Sequence, residues 1–303
     1  MKLGLAGLGK MGAQVATKLI EAGHDLVVDS RHMENTQPLI DLGAANFQTY
    51  EDLIPELGEK PIVWLMIQHK YVPDEVDKLL ELLPKGSIIV DGGNSDWRST
   101  KKVAAKCQAK GVYLVDVGTS GGVWGEKNGF SMMVGGSEEA VNRIKPLLDV
   151  LAKPSAAWYR FGDSGAGHFV KMVHNGVEYG IMQSFAEGYR VIKEGPYDKI
   201  NLGMVADIWQ HKSINESFLN SLIERMLKRD SDFEGVEGKV AESGEARWTL
   251  ETARELGIPT PAIQTAFDER LKSQDGEVHW GTKFLAQLRN EFGGHAINIE
   301  DKQ

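Results

Sequence analysis

The 303-residue sequence has a single cysteine, Cys107, and no excess of basic side chains. One cysteine excludes an intramolecular disulfide and any metal cluster built from several thiolates. With 43 acidic against 34 basic residues, the formal charge of -9 argues against nucleic acid or an anionic membrane as a partner. We therefore expect a protein of a reducing, cytoplasmic compartment.

Long apolar runs are also absent. No stretch approaches the ~18 apolar residues that a membrane span needs. The N-terminal stretch MKLGLAGLGKMG is interrupted by glycines and lacks a cleavage-like end, so it does not resemble a secretory signal. No set of His, Asp and Glu residues has convincing metal-ligand spacing, and we predict no metal.

The first half of the chain alternates short apolar runs with stretches of helical spacing. Strand-like runs lie at 2–6, 26–29, 61–67, 87–91, 112–116 and 131–136, and helical stretches at 10–22, 34–42, 74–83, 98–110 and 138–151. This alternation predicts a Rossmann-type, doubly wound α/β domain. Helical spacing alone continues after about Gly165. We therefore predict an α/β domain over residues 1–163 and an all-α domain over 164–303.

The sequence GLGKMG follows the first predicted strand and opens the first helix. It places Gly7, Gly9 and Gly12 in G-x-G-x-x-G spacing, which allows a tight turn and a close approach of the backbone to a pyrophosphate at the helix N-terminus. The alternative is a glycine-rich turn without a ligand. We predict that a dinucleotide contacts Gly7, Leu8, Gly9, Lys10, Met11 and Gly12.

The end of the second predicted strand is where a dinucleotide fold reads the adenosine ribose. Asp29, Ser30 and Arg31 stand there. A carboxylate suits the free 2'-hydroxyl of NAD, whereas a hydroxyl with a guanidinium suits the 2'-phosphate of NADP. The choice between NAD and NADP therefore stays open.

Two further turns follow consecutive predicted strands, DGGNSDW at 91–97 and DVGTSGGVWGEKNG at 116–129. Ligands of open α/β sheets bind beyond the carboxyl ends of the strands. These turns would bring Asn94, Ser95 and Ser120 to that edge, with backbone amides at Gly121 and Gly122. The alternative is that both are merely tight turns.

The stretch KMVHNGVEYG at 171–180 puts four polar residues on one predicted helix face. Lys171, His174, Asn175 and Glu178 stand at i, i+3, i+4 and i+7. The rest of the helix is largely apolar, which predicts burial on all sides. Neighbouring charge and desolvation can tune a lysine toward a general base and a glutamate toward a general acid. The alternatives are a Lys171 to Glu178 link or a polar seam between domains.

Arginines and a histidine near the C-terminus form another candidate set. Arg270 lies in FDERLKS, and RNEFGGHAI contains Arg289 and His295. Arginines beside a site are suited to bidentate capture of phosphate or carboxylate. The alternative for each is a surface arginine on a helix.

Five stretches carry a resemblance to a known family: GLGKMG, DGGNS, SGG at 120–122, GHFVKMVHNGVEYG at 167–180 and FGGH at 292–295. Together they resemble the 6-phosphogluconate dehydrogenase family. This family belongs to the β-hydroxyacid dehydrogenases, and the length is similar to its short form. The resemblance covers nearly the whole chain. Within the superfamily, DGGNS and KMVHNGVEYG are specific to this enzyme, whereas the nucleotide loop is shared.

The resemblance implies oxidative decarboxylation of 6-phosphogluconate to ribulose 5-phosphate with NAD or NADP, as in the pentose phosphate pathway or gluconate utilisation. It implies that Lys171 takes the proton of the 3-hydroxyl while a hydride leaves C3. The resulting β-keto acid loses CO2, and Glu178 would protonate C1 of the enediol.

The resemblance also implies binding roles for further residues. The sugar acid would be held by Asn94, Ser120, Gly121, Gly122, His174 and Asn175. Tyr179 and Arg270 would lie near the phosphate, and Arg289 and His295 would reach it from a neighbouring subunit of a homodimer or homotetramer. The nucleotide would also contact Asn94, Ile67 and Gln68, although MIQHKYV differs from the family's usual segment there.

Two other functions fit parts of the pattern. A dehydrogenase of a simple β-hydroxyacid such as 3-hydroxyisobutyrate, or a semialdehyde or imine reductase, needs the glycine loop and the lysine but not Glu178, His174 or the tail residues. A non-catalytic nucleotide-binding protein would need only the loop.

Overall fold

The computed structural model describes residues 1–29 and 33–295, which form two compact units. The first unit runs from Met1 to Met172, and the second begins at Val173. This division falls within one long helix. The predicted domain boundary between residues 163 and 164 lies just before that helix, and it stays a prediction.

The first unit is built on a sheet of eight strands, counted over the described residues. The strands are β1 (Lys2–Ala6), β2 (Asp25–Asp29), β3 (Ala45–Asn46), β4 (Ile62–Leu65), β5 (Ile88–Asp91), β6 (Tyr113–Ser120), β7 (Ser131–Gly135) and β8 (Trp158–Gly162). Their order in the sheet is β3-β2-β1-β4-β5-β6-β7-β8. Neighbours are parallel except β6 and β7, which pair antiparallel.

Helices cover both faces of this sheet. They are α1 (Lys10–Glu21), α2 (Met33–Asp41), α3 (Tyr50–Glu56), α4 (Val72–Leu82), α5 (Trp97–Ala109), α6 (Gly125–Asn128) and α7 (Glu138–Ala152). One apolar core includes residues of α1 and α7, and the other includes residues of α3, α4 and α5. The chain passes from β1 to β2 and β3 on one side and returns to β4 on the other. A crevice forms at such a reversal, beside the carboxyl ends of β1 and β4.

The predicted doubly wound α/β class is confirmed. The sheet differs from the prediction mainly in its two edge strands and in one strand pairing. The sequence pattern missed β3 and β8, which are the two edge strands of the sheet. Their residues are largely exposed, so no continuous apolar run marks them. The antiparallel pairing of β6 with β7 was also not predicted, and β6 extends to Ser120 instead of ending at Asp116.

The helix that crosses the division is α8 (Ala166–Glu194). The second unit continues with α9 (Leu202–Trp209), α10 (Phe218–Arg229), α11 (Glu245–Glu255), α12 (Pro261–Gln274) and α13 (Trp280–Gly293). Tyr189 of α8 stacks on Phe284 of α13 with ring centroids 5.5 Å apart, and its hydroxyl donates to Oδ1 of Asn220 on α10 at 2.9 Å. The predicted all-α character of this region is confirmed.

The expectation that α8 is buried on all sides is wrong. Val177 and Ile181 are 46% and 45% exposed, and Val191 is 72% exposed. Apolar composition does not by itself dictate burial, since apolar atoms make up much of any protein surface. No helix in residues 1–29 or 33–295 has both the length and the apolar character that crossing a membrane requires.

Candidate active site

The nucleotide loop lies at the end of β1 and the start of α1, where three glycines differ in the space around them. Gly7 has φ +98°, and a Cβ there would lie 2.5 Å from the Met66 carbonyl oxygen. A Cβ on Gly12 would lie 2.0 Å from the Gly7 carbonyl oxygen, so α1 packs too closely for any side chain. A Cβ on Gly9 would meet nothing within 4 Å. The structure thus leaves open space at Gly9, the residue just before the helix.

The first turn of α1 fits the phosphates of a dinucleotide. Gly9 is the N-cap residue and provides no side-chain hydrogen bond to the helix amides. These amides, with the positive end of the helix dipole, suit an anion. Lys10 is exposed and Met11 half-buried, whereas Leu8 is 2% exposed in the apolar core. Leu8 can therefore contact a nucleotide only through its backbone.

The residues expected at the adenosine and nicotinamide ends are described in part. Asp29 is half-buried at the end of β2, and its carbonyl accepts a hydrogen bond from the Gly7 amide at 3.0 Å. Ser30 and Arg31 lie outside the described residues. Ile67 follows β4 beside Gly7, where its Cγ2 would be 2.8 Å from a Cβ on that glycine. Gln68 comes next and begins a short 3₁₀ turn.

The DGGNS turn after β5 is held by its own aspartate. Asp91 is 1% exposed and accepts hydrogen bonds from the Gly93 amide at 3.1 Å and from the Ser95 hydroxyl at 2.7 Å. Ser95, which the sequence placed among the crevice residues, therefore closes the turn. Asn94 is the exposed residue of this closed turn.

The two glycines of that turn are required by their neighbours. A Cβ on Gly92 would lie 2.2 Å from Nε1 of Trp64, and one on Gly93 would lie 2.8 Å from the Ile67 carbonyl oxygen. Side chains at these positions would push the turn away from β4. The turn is therefore anchored on both sides, and the position of Asn94 depends on it.

His168 connects the first turn of α8 to the DGGNS turn, a role that was not predicted from the sequence. It is 1% exposed, and Nε2 donates to the Gly93 carbonyl at 3.1 Å because a carbonyl can only accept. Its Nδ1 lies 2.8 Å from the Thr100 hydroxyl. Its position one turn before Lys171 on the same helix was the available signal.

Asp116 was also missed, and it fixes where α8 begins. It is fully buried on β6 and accepts hydrogen bonds from the amides of Gly165 at 2.6 Å and His168 at 2.8 Å. These amides have no partner within the helix, so the carboxylate caps the helix and complements its dipole. An aspartate within the apolar run VYLVDV was the signal for this role.

Lys171 is 5% exposed and packs directly on β6. A Cβ on Gly118 would lie 2.3 Å from Cβ of Lys171. The lysine backbone can reach this position only because residue 118 has no side chain. The structure thus explains the burial of Lys171 through Gly118, for which no role was predicted from the sequence.

The turn after β6 carries the other predicted sugar contacts. Ser120 ends the strand, and Gly121 and Gly122 follow with φ of +131° and +51°. The Gly121 carbonyl accepts a hydrogen bond from the Trp124 amide at 3.1 Å, which closes a short 3₁₀ turn. Positive φ at both positions favours glycine.

In the second unit, hydrogen bonds link the polar residues of α8 to one another and to α11. The side-chain oxygen of Asn175 lies 2.9 Å from Nδ1 of His174, and its nitrogen donates to Glu245 at 3.0 Å. An oxygen of Glu178 lies 4.0 Å from the same Nδ1 of His174. The Glu178 side chain is 22% exposed and that of His174 36%. These groups are accessible enough to contact a ligand.

Two arginines of the second unit are buried instead of lying on the surface. Arg270 is 2% exposed, and its guanidinium carbon lies 3.2 Å from the centre of the Tyr179 ring. Burial, together with the charge of Arg289, lowers the pKa of Arg270 to about 10, although Tyr179 and Glu178 oppose the shift. The guanidinium stays charged at neutral pH.

Arg289 is 8% exposed on α13. Burial lowers its pKa, and the acidic groups of Tyr179, Glu178 and Glu245 act in the opposite direction. That Arg289 reaches the substrate phosphate from a neighbouring subunit stays a prediction. Two buried guanidiniums beside a tyrosine form a strongly positive environment that suits a phosphate.

His295 lies just after α13 with an exposed side chain. Its carbonyl accepts a hydrogen bond from the Asn290 amide group at 2.8 Å, and its ring meets Phe292 edge to face. In the described part of the chain, no three or more His, Cys, Asp or Glu side chains are grouped so that they could hold a metal ion.

Two family models match the chain. The NAD binding domain of 6-phosphogluconate dehydrogenase matches residues 2–162, and the 6-phosphogluconate dehydrogenase C-terminal domain matches residues 167–301. The NAD(+)-dependent, decarboxylating 6-phosphogluconate dehydrogenase of Haloferax volcanii is 36% identical over 99% of this chain and 100% of its own.

Solved structures resemble the chain as well. The 6-phosphogluconate dehydrogenase of Plasmodium falciparum, studied without ligand, with NADP+ and with 6-phosphogluconate, has a TM-score of 0.82 at 29% identity, covering 100% of this chain and 67% of its own. A 3-hydroxyisobutyrate dehydrogenase from Salmonella typhimurium has a TM-score of 0.75 at 21% identity, covering 94% and 99%. The second match concerns the fold alone.

Proposed function

The chain belongs to the 6-phosphogluconate dehydrogenase family, and from this premise we propose that it oxidises and decarboxylates 6-phosphogluconate to ribulose 5-phosphate and CO2 with NAD or NADP. The observation that carries the proposal is the series of polar residues on α8. One helix carries a buried lysine and, two turns further, a glutamate beside a histidine. A reaction that first removes and later returns a proton needs such a pair.

The nucleotide binds at the loop between β1 and α1. The open space at Gly9 and the uncapped amides of α1 receive its phosphates. Asp29 serves a free 2'-hydroxyl, whereas Arg31 would serve a 2'-phosphate, so both NAD and NADP are candidates. When bound, the nicotinamide supplies the acceptor for the hydride that leaves C3 of the substrate.

Lys171 acts as the general base that takes the proton of the 3-hydroxyl. Its burial against Gly118 supports this role, because desolvation disfavours the ammonium form of a lysine. Oxidation at C3 produces a β-keto acid, from which CO2 leaves while the electrons of the broken bond form an enediol. The ketone carbonyl accepts these electrons.

Glu178 acts as the acid that protonates C1 of the enediol. Its partial exposure and its position 4.0 Å from His174 support a carboxyl group that exchanges protons in a polar environment. The sugar acid is held by His174 and Asn175 on α8 and by Asn94, Ser120, Gly121 and Gly122 at the strand ends. Asn94 also contacts the nucleotide, together with Ile67 and Gln68.

The phosphate of the substrate binds to the group of Tyr179, Arg270 and Arg289. The burial of both arginines and their position beside Tyr179 support this assignment. A charged sugar phosphate does not readily cross a membrane, and a cytoplasmic location therefore belongs to the same proposal.

The enzyme acts as a homodimer or homotetramer, with His295 contributed to a neighbouring site. Exposed apolar residues of the second unit support association. They are Val191, Tyr197, Met204, Ile208, Ile214 and Phe218, between 51% and 102% exposed. Apolar surface of this kind is typical of contact regions between subunits.

Steady-state assays of 6-phosphogluconate with NAD and NADP in parallel test reaction and cofactor together. We expect turnover of 6-phosphogluconate with release of CO2, and none of 3-hydroxyisobutyrate. Turnover of 3-hydroxyisobutyrate alone would contradict the proposal. Binding of nucleotide without any turnover would indicate a non-catalytic protein.

A further inference from the structure

Glu245, the first residue of α11, touches the polar series of α8 and has no role in the mechanism above. It is 3% exposed, and it accepts a hydrogen bond from the Asn175 side chain at 3.0 Å. The first turn of a helix favours a negative charge, so α11 supports the carboxylate at this position.

The carboxylate determines which way the Asn175 amide points. The NH2 group of Asn175 donates to a carboxyl oxygen of Glu245, so this end of the amide faces Glu245. The amide oxygen then faces Nδ1 of His174, at 2.9 Å. Without Glu245, the two ends of the amide could exchange places at little cost.

The amide in turn determines the proton on His174. Because an amide oxygen only accepts, Nδ1 of His174 must carry the hydrogen of this bond. In the neutral imidazole, Nε2 is then the acceptor nitrogen. Glu178 lies 4.0 Å from Nδ1, which is beyond hydrogen-bond distance.

We propose that Glu245 is a positioning residue, which acts through Asn175 to hold His174 in the Nδ1–H tautomer. This inference rests on the proposed function, in which His174 contacts the sugar acid. With Nε2 as an acceptor, His174 receives a hydrogen bond from a substrate hydroxyl. In the other tautomer, Nε2 would donate instead, and the same hydroxyl would have to turn away from its other partners.

The test combines nitrogen NMR of histidine with kinetics. The protein has eight histidines, and a His174→Gln variant identifies the signal of interest in protein labelled with 15N-histidine. The variants are Glu245→Ala, which removes the acceptor, and Glu245→Gln, which keeps an oxygen for Asn175. Glu251→Gln on the same helix is the matched control for a lost carboxylate. Spectra are recorded at a pH where the imidazole is neutral.

We expect the Nδ1–H signature of His174 in the wild type, in Glu251→Gln and in Glu245→Gln. In Glu245→Ala this signature should be lost, and KM for 6-phosphogluconate should rise about tenfold with a smaller change in kcat. If Glu245→Ala does not fold, Glu245→Met fills the volume without a comparable acceptor and replaces it. Retention of the Nδ1–H signature, or an unchanged KM, would overturn the inference.

The measurements distinguish a failure of the proposed function from a failure of the role assigned to Glu245. A wild-type protein that does not turn over 6-phosphogluconate contradicts the proposed function, whereas the tautomer measurement on the free protein stays interpretable. If the wild type is active but the His174 tautomer does not depend on residue 245, only the role of Glu245 is contradicted.

Discussion

The two units hold their candidate functional groups in place by opposite means. In the first unit, the positions of these groups depend on places where no side chain fits, at Gly7, Gly12, Gly92 and Gly118. In the second unit, they depend on large charged side chains that are buried together. The first arrangement positions backbone groups, and the second concentrates charge. Substitutions in the first unit should therefore disturb backbone positions, whereas those in the second unit should remove or expose buried charge.

The largest effect is expected for Lys171→Ala. Loss of a general base lowers kcat by about a thousandfold. The affinity for nucleotide should stay unchanged, because the loop at Gly9 is not altered. Stopped-flow turnover and nucleotide titration measure the two quantities. Lys193→Ala on the same helix is the control. Near-normal turnover of Lys171→Ala would contradict the assignment of Lys171 as the general base.

Arg289→Ala should chiefly weaken substrate binding. Loss of a charge-assisted contact to phosphate raises KM for 6-phosphogluconate by about thirtyfold. The change in kcat should be smaller, and nucleotide affinity should not change. The control is Arg254→Ala, which removes an exposed arginine of the same unit. An unchanged KM would exclude Arg289 from the site.

Two glycine substitutions separate the fold from the nucleotide in the first unit. Gly9→Ala should weaken nucleotide binding by about tenfold, equal to ~1.4 kcal/mol, while Tm is unchanged. Gly12→Ala should lower stability by about 1–3 kcal/mol, because α1 must move away from Gly7. Calorimetry and nucleotide titration distinguish them. Equal effects of both variants on Tm would contradict the distinction.

The smallest effect concerns the ribose. Asp29→Ser removes the carboxylate that suits a 2'-hydroxyl, so KM for NAD should rise a few-fold relative to KM for NADP. The ratio of kcat/KM for the two nucleotides is the measurement. A ratio that does not change would show that Asp29 does not read the ribose.

The difference between the units also explains what the sequence could predict. Glycine spacing marks a turn directly, so the loop at Gly7 to Gly12 and the DGGNS turn were found in the sequence. The helical period likewise put Lys171 and Glu178 on one face. These signals act over a few residues, and short-range geometry is enough to interpret them.

Long-range contacts could not be predicted in this way. Glu245 stands seventy positions after Asn175, and Asp116 caps a helix that begins fifty positions later. The burial of Arg270 and the exposure of Val177 likewise depend on tertiary packing, which residue type does not determine. The edge strands β3 and β8 were not predicted from the sequence, because exposed strands lack an apolar run.

The contact between Gly118 and Lys171 also offers a criterion for sorting distant relatives and for redesign. Any residue other than glycine at position 118 would displace the backbone that carries the lysine. A homologous chain with a larger residue there should have lost the base or moved it to another helix position. In directed evolution toward new substrates, position 118 should therefore be left out of the mutated library.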